Sequence, residues 1–338
     1  MEDKSENFSL NKFVSALRHK HRKNLWFFVM HRRQCRKEGT METNYDDILA
    51  AAQQQGEQGF DVDAWAEKKQ SERDEVYALR DRMTDEVSMD GDKFQQYLDT
   101  QSRFRKYSVG NVLLIMAQKP QATRLKDFEG WKENRVSIRR NEKGIRILEP
   151  GDEYQREDGT MGTSYNIKKV FDISQTKAKK QPARPKPEER NVMVALVSRT
   201  PLPLQSVEQL VDSSMGARFD ETQNKIFIKK GMSGEDIFRS VTQELAHAEL
   251  AMGMEQGEYT REDNAFRAYC VSYMLSKQYG FSTEQFSFEE LPEGFAEAEP
   301  QEVREELGVI RDVAENISGR MSRILNQERN QKETEQER

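Results

Sequence analysis

Thr242-Gln243-Glu244-Leu245-Ala246-His247-Ala248-Glu249-Leu250 falls one residue short of the HExxH pattern of zinc-peptidase helices. In that pattern two histidines four apart share one helix face and hold zinc, and the intervening Glu is the general base for the metal-bound water. Here Gln243 occupies the first ligand position, with Glu244 and His247 where the base and second ligand would stand. The helix itself is well signalled. Ser233 with Asp236 three residues on reads as an N-terminal cap, Ile237, Val241, Leu245 and Ala248 recur on one face, and Gly253 is a stop. An amide oxygen is a poor zinc ligand beside imidazole or thiolate. A site with one certain His does not hold zinc tightly, so the stretch reads as a peptidase scaffold that has lost its chemistry. Glu and His at this spacing also arise by chance in solvated helices, so the rest of the chain has to supply the context.

The chain has 338 residues, long enough for about two domains with real cores. With 33% charged residues and a mean hydropathy of -0.93, it is very polar for a globular protein, and solvated or disordered segments must dilute the folded parts. Cys35 and Cys270 are the only cysteines, so a disulfide framework and a cysteine zinc site are excluded and a reducing, cytoplasmic setting is expected. Cys270 reads as a small core residue. The early apolar run Leu25 to Met30 is far too short to span a bilayer, and no membrane partner is expected. The first forty residues carry ten basic residues against four acids, hence +6, together with His19, His21 and His31. The remainder then carries -12, the difference between -6 overall and +6 here. This segment is either a basic arm that binds nucleic acid or an upstream leader before a true start at Met41.

From Trp65 to Arg82 the pattern is that of a charged, weakly amphipathic helix. Asp92 opens a second, with Phe94, Tyr97, Leu98, Gln101 and Phe104 on one stripe, and a third runs from Val109 to Ala117, closed by Pro120. Val136-Ser137-Ile138, a turn at Asn141 to Gly144 and a strand at Ile145 to Leu148 ending at Pro150-Gly151 read as a β-hairpin, with a further strand from Tyr165 to Ile173. Lys177 to Arg190, with three prolines and many charges, reads as a flexible linker.

Between Arg103 and Arg146 there are twelve basic residues and four acids, a balance of +8 inside an acidic protein, with Phe104, Tyr107, Phe128 and Trp131 interleaved. Cations neutralise phosphates and aromatic faces stack bases, which is what binding a single strand requires. The competing reading makes the aromatics core and the charges solubilising.

The segment also has a recognisable wording. Tyr107-Ser108-Val109-Gly110-Asn111-Val112-Leu113-Leu114-Ile115, Gln118-Lys119-Pro120-Gln121-Ala122-Thr123, Trp131 and Lys143-Gly144-Ile145-Arg146-Ile147-Leu148 together resemble the N-terminal domain of the ArdC-like antirestriction family. Val170-Phe171-Asp172-Ile173-Ser174 resembles the segment that follows it there, so the likeness runs from about Asp81 to Thr176. The resemblance implies carriage on plasmids and other conjugative elements, a first domain that binds single-stranded DNA, and a zinc-peptidase-like domain after it. It also implies a third, acidic metal ligand on a downstream helix with a pattern like Ala-Glu-Ser-Val-Ala-Tyr. This chain has Ala268-Tyr269-Cys270-Val271-Ser272-Tyr273, with Tyr269 where the glutamate would be. Glu262 lies seven residues earlier and Asp263 is near, so a remnant metal site would draw on His247, Gln243 and Glu262. Otherwise Gln243, Glu244 and His247 form a buried hydrogen-bond network.

The expected architecture is α+β in two domains, each a small sheet packed with helices, the second zincin-like. The divisions are a basic leader and disordered segment over 1–64, a DNA-binding domain over 65–176, a linker over 177–190, a metallopeptidase-like domain over 191–326 and a disordered tail over 327–338. The second domain is expected to open with a strand at Val192 to Val197, followed by a hairpin from Arg218-Phe219 to Lys229 and then the motif helix. Val303, Leu307, Ile310, Ala314, Ile317, Met321 and Ile324 step by four and three, an apolar seam on a long helix that packs along the domain or pairs with a partner. The candidate DNA-binding residues are Arg103, Arg105, Lys106, Tyr107, Asn111, Trp131, Arg139, Arg140, Lys143 and Arg146, with single-stranded DNA as partner and no cofactor. A protein partner could add to it through the second domain or the C-terminal helix. One alternative is an active zinc peptidase with substituted ligands, working on DNA-associated proteins through Glu244. Another is an interaction module that does not bind DNA.

Overall fold

A computed structural model describes residues 61–155, 159–178, 186–255 and 257–336. The basic leader and the start at Met41 lie outside these residues, as does the middle of the linker expected at Lys177 to Arg190. The chain divides into two compact units, Met1–Tyr77 and Ala78–Arg338. The described part of the first unit is the opening of helix α1 (Val62–Met89), where Asp61 Oδ1 accepts the Ala64 N–H at 3.0 Å.

The second unit begins with the rest of α1. Asp90 caps α2 (Gly91–Arg103), its side chain accepting from the Lys93 N–H, and the expected stripe of Phe94, Tyr97, Leu98 and Gln101 is buried. Ser108 caps α3 (Val109–Gln118), the helix at the centre of the first sheet's packing. That sheet has the order β1-β3-β2, antiparallel throughout, from β1 (Leu125–Lys126), β2 (Ile145–Gln155) and β3 (Met161–Asp172). The short helix α4 (Phe128–Glu133) lies between β1 and β2 in sequence.

The hairpin differs from the one expected. β2 pairs with β3, not with Val136-Ser137-Ile138, which contributes only a bridge from Ile138 to Thr176. Pro150-Gly151 does not end the strand. β2 runs through it with a register irregularity between Pro150 and Glu153, the usual way an edge strand absorbs a proline.

At the end of β3, Asp172 ties the sheet to what precedes it. Its carboxylate accepts the Thr123, Arg124 and Ser174 N–H groups at 2.7–2.9 Å. Burial works against this charge, but those donors and the Ser174 hydroxyl outweigh it and hold the carboxyl below its ordinary range.

The expected strand at Val192 to Val197 is instead helix α5 (Glu189–Val197). The β-branched residues favour a strand locally, but the packing follows helical spacing: Val192, Ala195 and Leu196 are buried, and Val194 and Val197 are exposed. The second sheet, order β4-β6-β5, sets β4 (Leu204–Val207) parallel and β5 (Ala217–Asp220) antiparallel to β6 (Lys225–Lys229). The motif helix α6 (Gly234–Met252) is capped by Ser233, which accepts the Asp236 N–H, and stops at Gly253. Helix α7 (Arg261–Tyr279) packs beside it, starting at a Thr260 cap and ending at Gly280, where φ is 83°.

The final helix α8 (Pro300–Gln336) buries the whole expected seam from Val303 to Met321 against the unit's own elements. It also continues through most of the stretch expected as a disordered tail.

Among the described residues the fold is thus a mixture of helices and two small three-stranded sheets with a long C-terminal helix. Its core is continuous within Ala78–Arg338. The Phe94 ring of α2 packs in tilted and edge-on contacts, centroids 5.3–5.7 Å from Phe266, Phe288 and Phe295, and Tyr273 of α7 donates to Asp99 of α2 at 2.7 Å. Among the described residues no helix is long and apolar enough to cross a membrane.

Candidate functional site

Two places were marked by the sequence, and the structure builds them differently. On the motif helix α6, Glu244 and His247 are almost fully buried, at 2% and 1% exposure. Glu244 is consumed by two partners. Its Oε2 accepts the Phe219 N–H of β5 at 2.7 Å and Nη1 of Arg261 at 2.8 Å, while Nη2 of Arg261 donates to Oε1. The result is a two-pronged guanidinium–carboxylate pair that also secures a backbone donor on an edge strand. His247 shares a 2.8 Å hydrogen bond through Nδ1 with the Tyr259 hydroxyl. Burial, then the charges of Arg261 and Arg218, push the imidazole down to about 3, so it is neutral at physiological pH. Burial raises the Tyr259 phenol far above its ordinary value.

The remaining positions of a metal site are occupied otherwise. Tyr269 accepts the Ser287 N–H at 2.8 Å and packs its ring 5.0 Å from Phe286. Glu262 is exposed in the first turn of α7, and Gln243 is half-buried. Cys270 is a fully buried free thiol, pushed up by burial. Zinc sites in proteins draw on three or four imidazole, thiolate or carboxylate donors. Here one imidazole is available, the adjacent carboxylate already carries a counter-cation, and the charge of that Arg261 guanidinium, which also bears on His247, opposes a divalent ion. Among the described residues no group of three or more His, Cys, Asp or Glu could hold a metal. The donor set does not fit zinc. Residue spacing does not single out Arg261 for this role. Its only hint was the rule that a carboxylate on the buried face of a helix needs a cation.

The basic segment between Arg103 and Arg146 divides into residues that hold the fold and residues that face water. Trp131 is 3% exposed and donates Nε1–H to the Phe171 carbonyl at 2.8 Å, so its ring is core. Asn111 makes two 2.8 Å hydrogen bonds to the backbone of Leu148. Arg105 pairs with Glu315, 3.3 Å away, and donates to Ser318 of α8. Arg103 donates to the Pro120 carbonyl at 2.7 Å, and Arg146 is half-buried. By contrast Lys106, Arg135, Arg139, Arg140 and Lys143 are exposed and form no ion pair among the described residues. Four of these five cations lie on the 135–143 loop that leads into β2. Its strain is visible at Arg135 (φ 57°) and Asn141 (φ 64°), left-handed positions that let the loop turn back on itself. Phe128, Tyr154 and Tyr165 also present large apolar surfaces to solvent. The two tyrosines escaped the sequence reading because they fall outside the charged segment; an aromatic on each arm of a hairpin was the available signal.

Residues 74–197 match the family model described as the N-terminal domain of anti-restriction factor ArdC. No curated protein matches the chain. Among solved structures it is similar to the antirestriction ArdC protein from the R388 plasmid in two forms. The metal-free structure is 14% identical with a TM-score of 0.39, over 64% of this chain and 86% of that one. The Mn(II)-bound structure is 14% identical with a TM-score of 0.47, over 73% of this chain and 97% of that one. The match thus falls on residues 74–197, the stretch that spans the β2–β3 hairpin and its basic loop, and it is to the N-terminal domain of ArdC.

Proposed function

We propose that this ArdC-like antirestriction protein binds single-stranded DNA through its first half, and that its motif helix is a structural remnant without peptidase activity. On this reading it serves a mobile element by covering single-stranded DNA. The observation that carries the DNA part is the set of five exposed, acid-free cations, Lys106, Arg135, Arg139, Arg140 and Lys143, within a protein of net charge -6. Cations already paired with carboxylates have little to gain from a phosphate, whereas free ones release condensed counterions when they meet it. The exposed rings of Phe128, Tyr154 and Tyr165 suit bases that have no partner strand. The absence of peptidase activity is supported by Glu244, whose two oxygens are already engaged by Arg261 and the Phe219 N–H rather than by a metal-bound water. The test is fluorescence anisotropy of a labelled single-stranded oligonucleotide with the full chain. Arg139→Ala/Arg140→Ala/Lys143→Ala is expected to weaken binding at least about tenfold at low salt. Unchanged affinity would remove the loop as the contact surface.

A further inference from the structure

Between the β2–β3 hairpin and Tyr107 lies a cavity of about 400 Å³ that none of the packing described so far uses. Its lining combines apolar Ile147 and Val170 with polar Tyr107, Lys126, Asp127, Glu149 and Lys168. The volume falls in the range of roughly 300–1,000 Å³ typical of sites for small organic groups. The charges cancel. Lys168 Nζ bridges both acids, 3.1 Å from Asp127 and 3.0 Å from Glu149, and Lys126 adds a second cation to the lining. A phosphate would meet as much repulsion as attraction there. The Tyr107 hydroxyl has no hydrogen-bond partner among the described residues, and burial raises its pKa, so it is a neutral donor and acceptor. The lysine–carboxylate bridges hold the walls in place while leaving outward lone pairs on the acids.

We infer that this cavity takes a single unstacked nucleobase, a flat, uncharged group with hydrogen-bonding edges, while the backbone on either side runs over the exposed cations. This rests on the single-strand reading above and deepens it: the loop supplies charge, and the cavity supplies a base contact that a backbone alone cannot make. Apolar contact lies on the base faces, the Tyr107 hydroxyl meets one edge group, and the Glu149 carboxylate accepts from an N–H of the base.

The experiment compares two labelled 12-mers of equal charge, one carrying normal bases and one abasic throughout, against the full chain, Tyr107→Phe and Glu149→Gln. Neither substitution changes side-chain volume much, and circular dichroism melts check the fold of each. The normal strand is expected to bind the wild type at least about tenfold more tightly than the abasic strand. Each variant should shrink that ratio by about two- to tenfold, the worth of one hydrogen bond, with abasic binding little changed in Tyr107→Phe. Taking the ratio cancels the charge that Glu149→Gln removes. If both strands bind but the variants leave the ratio intact, the cavity is not the base site while the DNA reading stands. If neither strand binds, the DNA reading falls and the cavity assignment falls with it.

Discussion

Glu244 and Arg261 stand seventeen positions apart in sequence and are buried against each other, at 3% and 17% side-chain exposure. Removing one partner strands the other's charge away from water. Arg261→Met is therefore expected to cost about 3–5 kcal/mol of stability, while Glu244→Leu with Arg261→Met recovers most of it. Urea melts of the two variants check this, and a double variant no more stable than the single one would show that the pair holds more than its own charges. His247 gives a pH signature. Its folded pKa of about 3 lies below the ordinary value of 6.5, so between those values the unfolded chain binds a proton that the folded chain refuses. The stability tied to His247 is complete above about pH 6.5 and is lost as pH falls toward about 3. His247→Gln should lower stability at pH 7 through the lost Tyr259 contact yet flatten its decline from pH 6 to 4. Parallel pH profiles for variant and wild type would contradict this. At this scale the sequence was legible where residues act locally, as at the Ser233 cap. It was not legible at Arg261, because an ion pair between two helices leaves no periodic trace.

At the scale of elements, the edge of the first sheet shows how α3 specifies its neighbour. β2 is an edge strand, and two amide side chains seven residues apart on α3 satisfy its free backbone groups. Asn111 bonds both ways with Leu148, and Gln118 does the same with Arg146, at 2.8–2.9 Å. The clamps cover an edge that would otherwise be free to pair with another chain. Asn111→Ala should cost about 1–3 kcal/mol, because two backbone groups are left unpaired, and thermal melts with a hydrogen-exchange readout at Leu148 would locate the loss. An unchanged exchange rate there would mean that the clamp is dispensable. This explains why Asn111, named from sequence among the DNA contacts, sits instead between helix and strand. Helices were easier to foresee than strands for a physical reason. The buried stripe of α2 and the seam of α8 are fixed by their own spacing, whereas the partner of β2 depends on residues beyond the Asn141 turn. The Val192 to Val197 stretch failed in the opposite sense, since three valines favour a strand locally and burial on one side of a helix overrides them.

Over the whole molecule, the family-like stretch and the motif helix share one core within Ala78–Arg338. The Phe94 cluster and the Tyr273–Asp99 contact both join α2 to α7 and the residues that follow it. Thermal unfolding of this unit is accordingly expected to be a single transition, with tryptophan fluorescence, which Trp131 dominates within it, and far-ultraviolet dichroism superimposing. Two separated transitions would mean that the halves fold independently. The proposed division of labour is functional: cations and exposed rings on the ArdC N-terminal part, and an ion pair in place of peptidase chemistry on the other. The measurement that bears on it most directly is the salt dependence of single-strand affinity for the wild type and for Arg139→Ala/Arg140→Ala/Lys143→Ala. Each phosphate contact to a single strand contributes about 0.7 to the slope of log affinity against log salt. The triple variant is expected to lose roughly two units of slope along with its affinity. Equal slopes for the two proteins would contradict it.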